Sequence, residues 1–444
     1  MSNANVSPEL ETQTYNKVAR HLIPLLFLCY VVAFIDRVNV GFAKLQMAPD
    51  LQLSDAVFGF GAGIFFVGYF IFEVPSNVVL ERVGARIWIA RIMITWGIIS
   101  SAMMIANGET SFYLLRFLLG VSEAGFFPGI ILYLTYWFPA SRRARMVALF
   151  MTAIAISNVV GSPISGAIMQ FMDGVNDWRG WQWLFLLEGI PSVLVGLLVL
   201  GLLPDGPRAA KWLTRAERDL IEGQLREEHL AKERLSQRHS FVDAFRDARV
   251  WALAVVYFCG VLCFYAVGFW MPTIIQELEV GKTDYLQIGL LSGIPWGSAA
   301  IAMVYWGHHS DRSGERRWHS TAGLVLVIAG TVVLALVGKD PIPAMTGLCL
   351  VAVGLMSWLV TFWSIPTAFL SGTAAAAGIA WINSVGNLGG YFGPDLVGRI
   401  RMAMNGADEA AFYALAAVAF LGAIITVVLP RTQHRAATVL ASRK

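Results

Sequence analysis

Twelve apolar runs punctuate the chain, at roughly 22–43, 58–79, 87–106, 111–138, 146–172, 182–203, 251–275, 286–306, 320–338, 343–365, 376–398 and 410–429. A helix needs roughly 20 apolar residues to cross a bilayer, so each run predicts one membrane-spanning helix. One long polar stretch, Pro204 to Arg249, divides the runs six and six. Within it, Arg215-Ala-Glu217-Arg218-Asp219 and Arg226-Glu227-Glu228-His229 predict a solvated helix. The pattern therefore predicts an all-α membrane protein with twelve transmembrane helices in two six-helix bundles. The expected boundaries are a polar tail at 1–20, a bundle at 21–203, a linker at 204–249, a second bundle at 250–430 and a tail at 431–444.

Charges inside apolar runs mark candidate chemistry. Arg116-Phe-Leu-Leu-Gly120-Val-Ser-Glu123 lies within the run from Tyr113 to Phe138. Each charge at mid-bilayer costs roughly 2.5–3.5 kcal/mol on insertion scales, and such residues mark functional pathways by default. Arg116 and Glu123 share one helix face about 10.5 Å apart along the axis. Gly120 between them is expected to leave open space, and Gly125 with Gly129 to let a neighbouring helix approach closely. In the first helix, Asp36 and Arg37 point about 100° apart, so one faces a cavity while the other faces a partner helix. Arg37 offers a planar fork suited to a carboxylate, and Asp36 is expected within reach of Arg116. Glu73 reads as structural, near the cytoplasmic end of the second helix, and Glu188 as either structural or functional. The second half has few deep charges but offers Tyr257, Tyr265, Trp358, Trp363, Ser364, Asn383 and Asn387 for hydrogen bonding and stacking. Asn383 leads this group because a buried amide is costly unless paired. The Gly289, Gly293, Gly297 stripe predicts helix packing, and His308 and His309 a solvated helix end.

Loop charges set an expected orientation. Arg82 and Arg86, then Arg142, Arg143 and Arg145, then Arg312, Arg316 and Arg317 fall on one side. The opposite loops carry Asp50 and Asp55, Glu109, Asp173 and Asp177 with Arg179, and Glu277, Glu279 and Asp284 with Lys282; Arg399 and Arg401 are the exception there. The positive-inside rule places both termini and the linker in the cytoplasm. The halves also repeat. Asn77-x3-Glu81-Arg82-x-Gly84-x-Arg86 matches Gly307-x3-Asp311-Arg312-x-Gly314-x-Arg316 at an offset of 230, and Ser162-Pro163 matches Gly393-Pro394 at 231. Duplicated bundles with a site between them near the midplane are the plan of many secondary transporters. Arg82 and Arg312, beside Glu81 and Asp311, are expected to pair across helix ends when the inner side closes, and so to gate rather than recognise.

Composition agrees: 57% of the 444 residues are hydrophobic and 14% charged, against about 45–50% and about 25% in soluble domains. A net charge of +3 gives no reason to expect a nucleic-acid partner. The four cysteines sit in apolar runs without His or acid beside them, which predicts small core residues rather than a metal site. No Gly-x4-Gly-Lys-Ser/Thr, His-Glu-x-x-His or Gly-x-Ser-x-Gly occurs, so neither an ATP-driven pump nor a membrane enzyme is indicated.

The loop Gly307-x3-Asp311-Arg312-x-Gly314-x-Arg316-Arg317 resembles the cytoplasmic signature of the major facilitator superfamily. Asp36-Arg37, Arg116 with Glu123, and Trp181-Gln-Trp183-Leu-Phe…Glu188-Gly-Ile-Pro191 resemble its anion:cation symporter family, which includes tartrate, phthalate and galactonate permeases. The likeness runs over about residues 20 to 430. It implies a proton-coupled importer of small organic anions in a bacterial inner membrane, with protons as the coupling ion, no other cofactor, and the lipid bilayer and substrate as partners of a monomer. It implies Arg37 as the holder of the substrate carboxylate, Asp36 and Glu123 as proton-titrating acids, and Arg116 as partner to one of them and a further substrate-binding residue. Tyr69, Trp363 and Asn383 match cavity positions of the sugar-acid carriers, and Tyr257 is added from its chemistry. Phe34 and Ile154 depart from the galactonate pattern, where a tyrosine and a glutamine stand. These departures favour a hydroxy-dicarboxylate such as tartrate, or an aromatic acid such as phthalate. The runner-up is a proton-driven exporter of drugs or amphiphilic cations, and a third class is a non-transporting sensor.

Overall fold

The computed structural model describes residues 8–236, 246–278, 284–369 and 372–429; Glu279, Lys282 and the tail at 431–444 lie outside them. The first bundle contains α1 (Pro8–Asp50), α2 (Asp55–Val83), α3 (Ala85–Ala102), α4 (Glu109–Glu123), α5 (Phe126–Thr135), α6 (Ala140–Phe171) and α7 (Gly180–Leu202). A linker helix, α8 (Arg215–Ser236), follows. The second bundle contains α9 (Ala248–Glu277), α10 (Tyr285–Ser313), α11 (Arg317–Val337), α12 (Pro341–Phe362), α13 (Gly372–Asn387), α14 (Gly389–Ala403) and α15 (Glu409–Val428). Ile71, Val74, Ile98, Leu194 and Ile301 stand exposed on the outside, as a bundle whose solvent is lipid requires.

Among the described residues, eleven helical stretches are long and apolar enough to cross a membrane, α4 and α5 together making one. The twelfth passage is α13 plus α14, of 16 and 15 residues, interrupted at Leu388. The predicted fourth helix is likewise broken. Gly125 takes φ +84°, a conformation that glycine adopts without a Cβ clash. Its neighbour Gly129 faces the Leu80 side chain. Gly120 does not leave open space as expected: a Cβ there would overlap the Phe65 carbonyl, because α2 and α4 cross in direct backbone contact. The Gly289 stripe packs at one end only, since Gly297 has no neighbour within 4 Å.

The end of the molecule that carries α8 is called here the linker side, and the end that carries Asp50 and Asp55 the far side. α8 is docked rather than simply solvated. Lys17 reaches Glu217 at 2.9 Å, the Tyr15 hydroxyl donates to Gln224 at 2.8 Å, and Arg143 meets Glu228 at 3.2 Å. These contacts tie the linker helix to α1 and α6 of the first bundle.

The far-side halves of the bundles meet through a two-fold set of glycine contacts. Gly59 of α2 lies against the Pro394 carbonyl of α14, and Gly289 of α10 against the Ser162 carbonyl of α6. Gly398 lies against the Asp55 carbonyl, and Gly166 against that of Tyr285. Gly59 and Gly289 are 230 positions apart, as are Asp55 and Tyr285; Ser162 and Pro394 are 232 apart, as are Gly166 and Gly398. The offset of 230 is therefore also a symmetry of contacts, while α6 and α14 correspond at 232, one residue from the 231 that aligns Ser162-Pro163 with Gly393-Pro394. The axis passes between α1 and α9, where Gly41 lies against Phe269 and Arg37 meets Tyr265, each pair 228 positions apart.

Candidate functional site

α1 crosses the molecule next to the symmetry axis, so its mid-height residues face the other bundle. There Arg37 is buried, 8% exposed, in an aromatic box. Its Cζ lies 5.7 Å from the Phe34 ring, 5.4 Å from Phe65 and 5.6 Å from Tyr69. One guanidinium nitrogen donates to the Tyr265 hydroxyl across the interface at 2.8 Å. Another is salt-bridged to Glu123 of α4, itself 1% exposed. A charge held in low dielectric needs such a partner. Beside this pair lies a small cavity, with about 70 Å³ of room for the centre of a water molecule, shared by both bundles. Arg37, Tyr69, Tyr257, Tyr265 and Asn383 line it, and nine of the sixteen lining side chains are aromatic. Phe34 and Ile154, the departures from the galactonate pattern, both line it.

Three expected placements change. Asp36 does not reach Arg116. It turns into the first bundle, where it accepts from Trp96 Nε1 at 2.7 Å, Ser100 at 2.9 Å and Ser192 at 2.5 Å. The 100° step between helix neighbours sends Arg37 to the cavity and Asp36 to α3 and α7. Arg116 is fully buried and joins neither acid. It donates to the Ala62 carbonyl at 3.0 Å, while its Nε and one terminal nitrogen have no described partner. Glu123 has gone to Arg37 instead. Trp363 stands behind the lining, edge-on to Tyr257 at 4.8 Å between ring centroids. It braces Tyr257, which also stacks on Trp358 and Phe362.

Glu73 is more than a structural acid at a helix end. It crosses the interface to accept from Asn383 at 3.1 Å and Ser384 at 3.4 Å, and so joins the bundles toward the linker side. Glu81, Arg82 and Arg312 are exposed. Asp311 pairs with Arg316 of its own loop at 2.5 Å. The cross-pairing expected of a closed linker side is not formed among them in this state. His309 hydrogen-bonds His319 at 2.7 Å at the exposed helix end.

The far side carries a charge cluster that sequence reasoning missed. Asp55 of α2 is shared between Lys44 of α1 at 2.9 Å and Arg401 of α14 at 3.0 Å. Arg401 also binds Glu277 at 2.6 Å and pairs with Asp408. The Trp270 ring lies 4.1 Å from Lys44 Nζ and 5.1 Å from Arg401 Cζ. Burial pushes the Asp408 carboxyl up to about 6, against the pull of Arg401 and with Glu277 adding to the rise. The signal was present in Arg401 as a positive exception among acidic loops. In the structure Arg401 is 3% exposed, a latch between bundles rather than a loop charge.

The sequence matches the Major Facilitator Superfamily over residues 26–394. A relative from Agrobacterium vitis, provisionally named a tartrate transporter, is 49% identical over 96% of this chain and 97% of its own length. The quinolone resistance transporter of Acinetobacter baumannii is 40% identical over 95% and 96%. Among solved structures, a partially occluded inward open conformation of the xylose transporter XylE from E. coli superposes with a TM-score of 0.70 at 16% identity, over 93% of this chain and 99% of that one.

Proposed function

Because the chain belongs to the major facilitator superfamily and is a multi-pass membrane transporter of small organic substrates, we propose that it imports a small organic anion with protons by alternating access. The substrate class is a hydroxy-dicarboxylate such as tartrate, on the pattern of the anion:cation symporters. One observation carries this reading: Arg37, the cavity's guanidinium, is held by an acid that can be displaced. A substrate carboxylate can take up the guanidinium nitrogen that Glu123 holds and bind the planar fork in its place. Once displaced, Glu123 is a buried carboxylate without its partner, and a proton neutralises it. Substrate and proton binding then assist each other reciprocally. Protons also offset the cost of moving an anion against a negative-inside potential, about 2.3 kcal/mol per charge per 100 mV. In this reading Asp36 is a second titrating acid, Tyr69, Tyr257 and Asn383 contact the substrate, and Trp363 acts through Tyr257. Glu81, Arg82, Asp311 and Arg312 pair when the linker side closes. The positive loops support a cytoplasmic linker side, with both termini there, in a bacterial inner membrane.

The aromatic lining favours a second reading, an aromatic carboxylate of the phthalate type. The relative named for quinolone resistance supports a third, a drug exporter. Proteoliposome uptake of labelled tartrate, phthalate and an amphiphilic cation, with and without a pH gradient, separates the three. Glu123→Gln keeps the size of the acid but cannot release a proton. It is expected to exchange labelled substrate while losing accumulation driven by a pH gradient. Normal pH-driven accumulation in this variant would remove Glu123 from the coupling.

A further inference from the structure

A second buried acid stands near Asp36, on the side away from the substrate cavity. Glu188 of α7 is 5% exposed and accepts from Ser165 of α6 at 2.7 Å, while its other oxygen has no described partner. The Asn39 amide of α1 lies beside it, with neither amide atom in a hydrogen bond of ordinary geometry. Ser192 is one helical turn along α7 from Glu188, on the same face, at a Cβ separation of roughly 5–6 Å. The Ser192 hydroxyl donates to Asp36 at 2.5 Å. Two carboxylates thus flank one hydroxyl, and neither is salt-bridged to a described cation.

The two acids lie at different depths. At 1.5 Å per residue, Glu188 is about 12 Å from the far end of α7, and Asp36 about 21 Å from the far end of α1. Neither residue lines the cavity, although Arg37, next to Asp36, does. From this geometry we propose that Glu188 is a proton station between the far side and Asp36, passing protons through Ser192 by a route inside the first bundle that the substrate never enters. The inference rests on the proton-coupled reading above. In the transfer, the Glu188 carboxyl gives its proton to the Ser192 oxygen, directly or through a water bridging Asn39. Ser192 passes its own hydroxyl proton to Asp36. Glu188 ends as a carboxylate, Ser192 is restored, and Asp36 ends as a neutral acid. Asp36 is the ionisable group in reach of Glu188 from α1, α6 contributes Ser165, and α3 faces Asp36 with Trp96 and Ser100. Asp36 in turn feels the charge of Glu123 of α4, which is paired with Arg37 on the other face of α1.

The test is the ratio of two rates in proteoliposomes loaded with a pH dye: tartrate accumulation driven by a pH gradient, and tartrate counterflow at equal pH. Glu188→Gln is expected to lower the ratio about tenfold and to slow substrate-linked proton movement equally. Ser192→Ala is expected to do the same, and Ser192→Thr, which keeps a hydroxyl, to restore it. A wild-type ratio in folded Glu188→Gln and Ser192→Ala protein would overturn the station. So would equal losses in both rates, which a purely structural acid would give. If Glu188→Gln does not fold, the Ser192 pair decides. A wild type that exchanges tartrate yet ignores the pH gradient would instead overturn the proton-coupled reading, and this inference with it.

Discussion

Arg37 makes a charge-assisted hydrogen bond to Tyr265 and an ion pair with Glu123 through separate nitrogens of one planar group. A lysine carries the same charge on a single rotatable ammonium and cannot hold both directions at once. Arg37→Lys is therefore expected to weaken substrate binding by about 1–3 kcal/mol, the range for a charged hydrogen bond. Isothermal titration of tartrate against folded protein measures this, and wild-type affinity would take Arg37 out of the site. At this scale the sequence was half legible. It could place Arg116 and Glu123 on one face, because helix periodicity is local. It could not show that Glu123 leaves Arg116 for Arg37 on another helix, because that choice depends on how close α1 and α4 come. For the same reason Asp36 looked like a neighbour of Arg116, when it faces Trp96, Ser100 and Ser192.

The far-side seal depends on helices that cross at glycine. Where Gly289 meets the Ser162 carbonyl, the backbones touch with no side chain between them. Alanine there must push α10 from α6, at a cost of about 1–3 kcal/mol as for other overpacked contacts. Gly289→Ala is expected to tilt the molecule toward an open far side, and Gly59→Ala to do so through α2 and α14. Spin labels on cysteines placed at exposed positions 176 and 339, on opposite bundles, read the separation; an unchanged distance distribution in both variants would contradict the seal. Native Cys29, Cys259 and Cys263 are buried, so only Cys349 needs replacing first. The repeat was legible to within one residue in Ser162-Pro163 and Gly393-Pro394, since the contacts pair Ser162 with Pro394 instead. The breaks at Gly125 and Leu388 were not, because a membrane helix can run on through single glycines and polar residues such as Glu123 and Asn387.

For the molecule as a whole, Asp55 of one bundle binds Arg401 of the other, and parting the far side must break that bond. Arg401→Gln leaves Asp55, Glu277 and Asp408 facing Lys44 alone. Removing one member of a buried pair costs about 3–5 kcal/mol; the carboxylates here are partly exposed, so about 1–3 kcal/mol is expected. That shifts the ratio of closed to open far sides by about five- to a hundred-and-fiftyfold, again as a longer 176–339 distance. An unaltered distribution would mean that the glycine seal closes this side without help. Two bundles and a linker helix could be read from the chain's polarity, but not the docking of that helix through Lys17, Tyr15 and Arg143. The latch could not, because Lys44, Asp55, Glu277, Arg401 and Asp408 look like ordinary loop-end charges until folding gathers them.

The latch also bears on how fast substrate arrives. Its two cations stand against three carboxylates, so the latch carries one net negative charge when all are ionised. Burial raises the Asp408 carboxyl above the ordinary carboxylate range, so falling pH protonates it and takes one negative charge from the latch. For a dianion about 8 Å away in water, that change removes roughly 1 kcal/mol of repulsion, a factor of about five in local concentration. Acid would then quicken the first encounter even where no proton crosses the membrane. Salt tells the two effects apart, since screening at about 8 Å in 0.15 M salt weakens encounter forces and leaves stoichiometry alone. Tartrate counterflow at pH 5.5 is expected to exceed that at pH 7.5 in dilute buffer and to converge with it in high salt. Asp408→Asn is expected to remove the difference in dilute buffer as well.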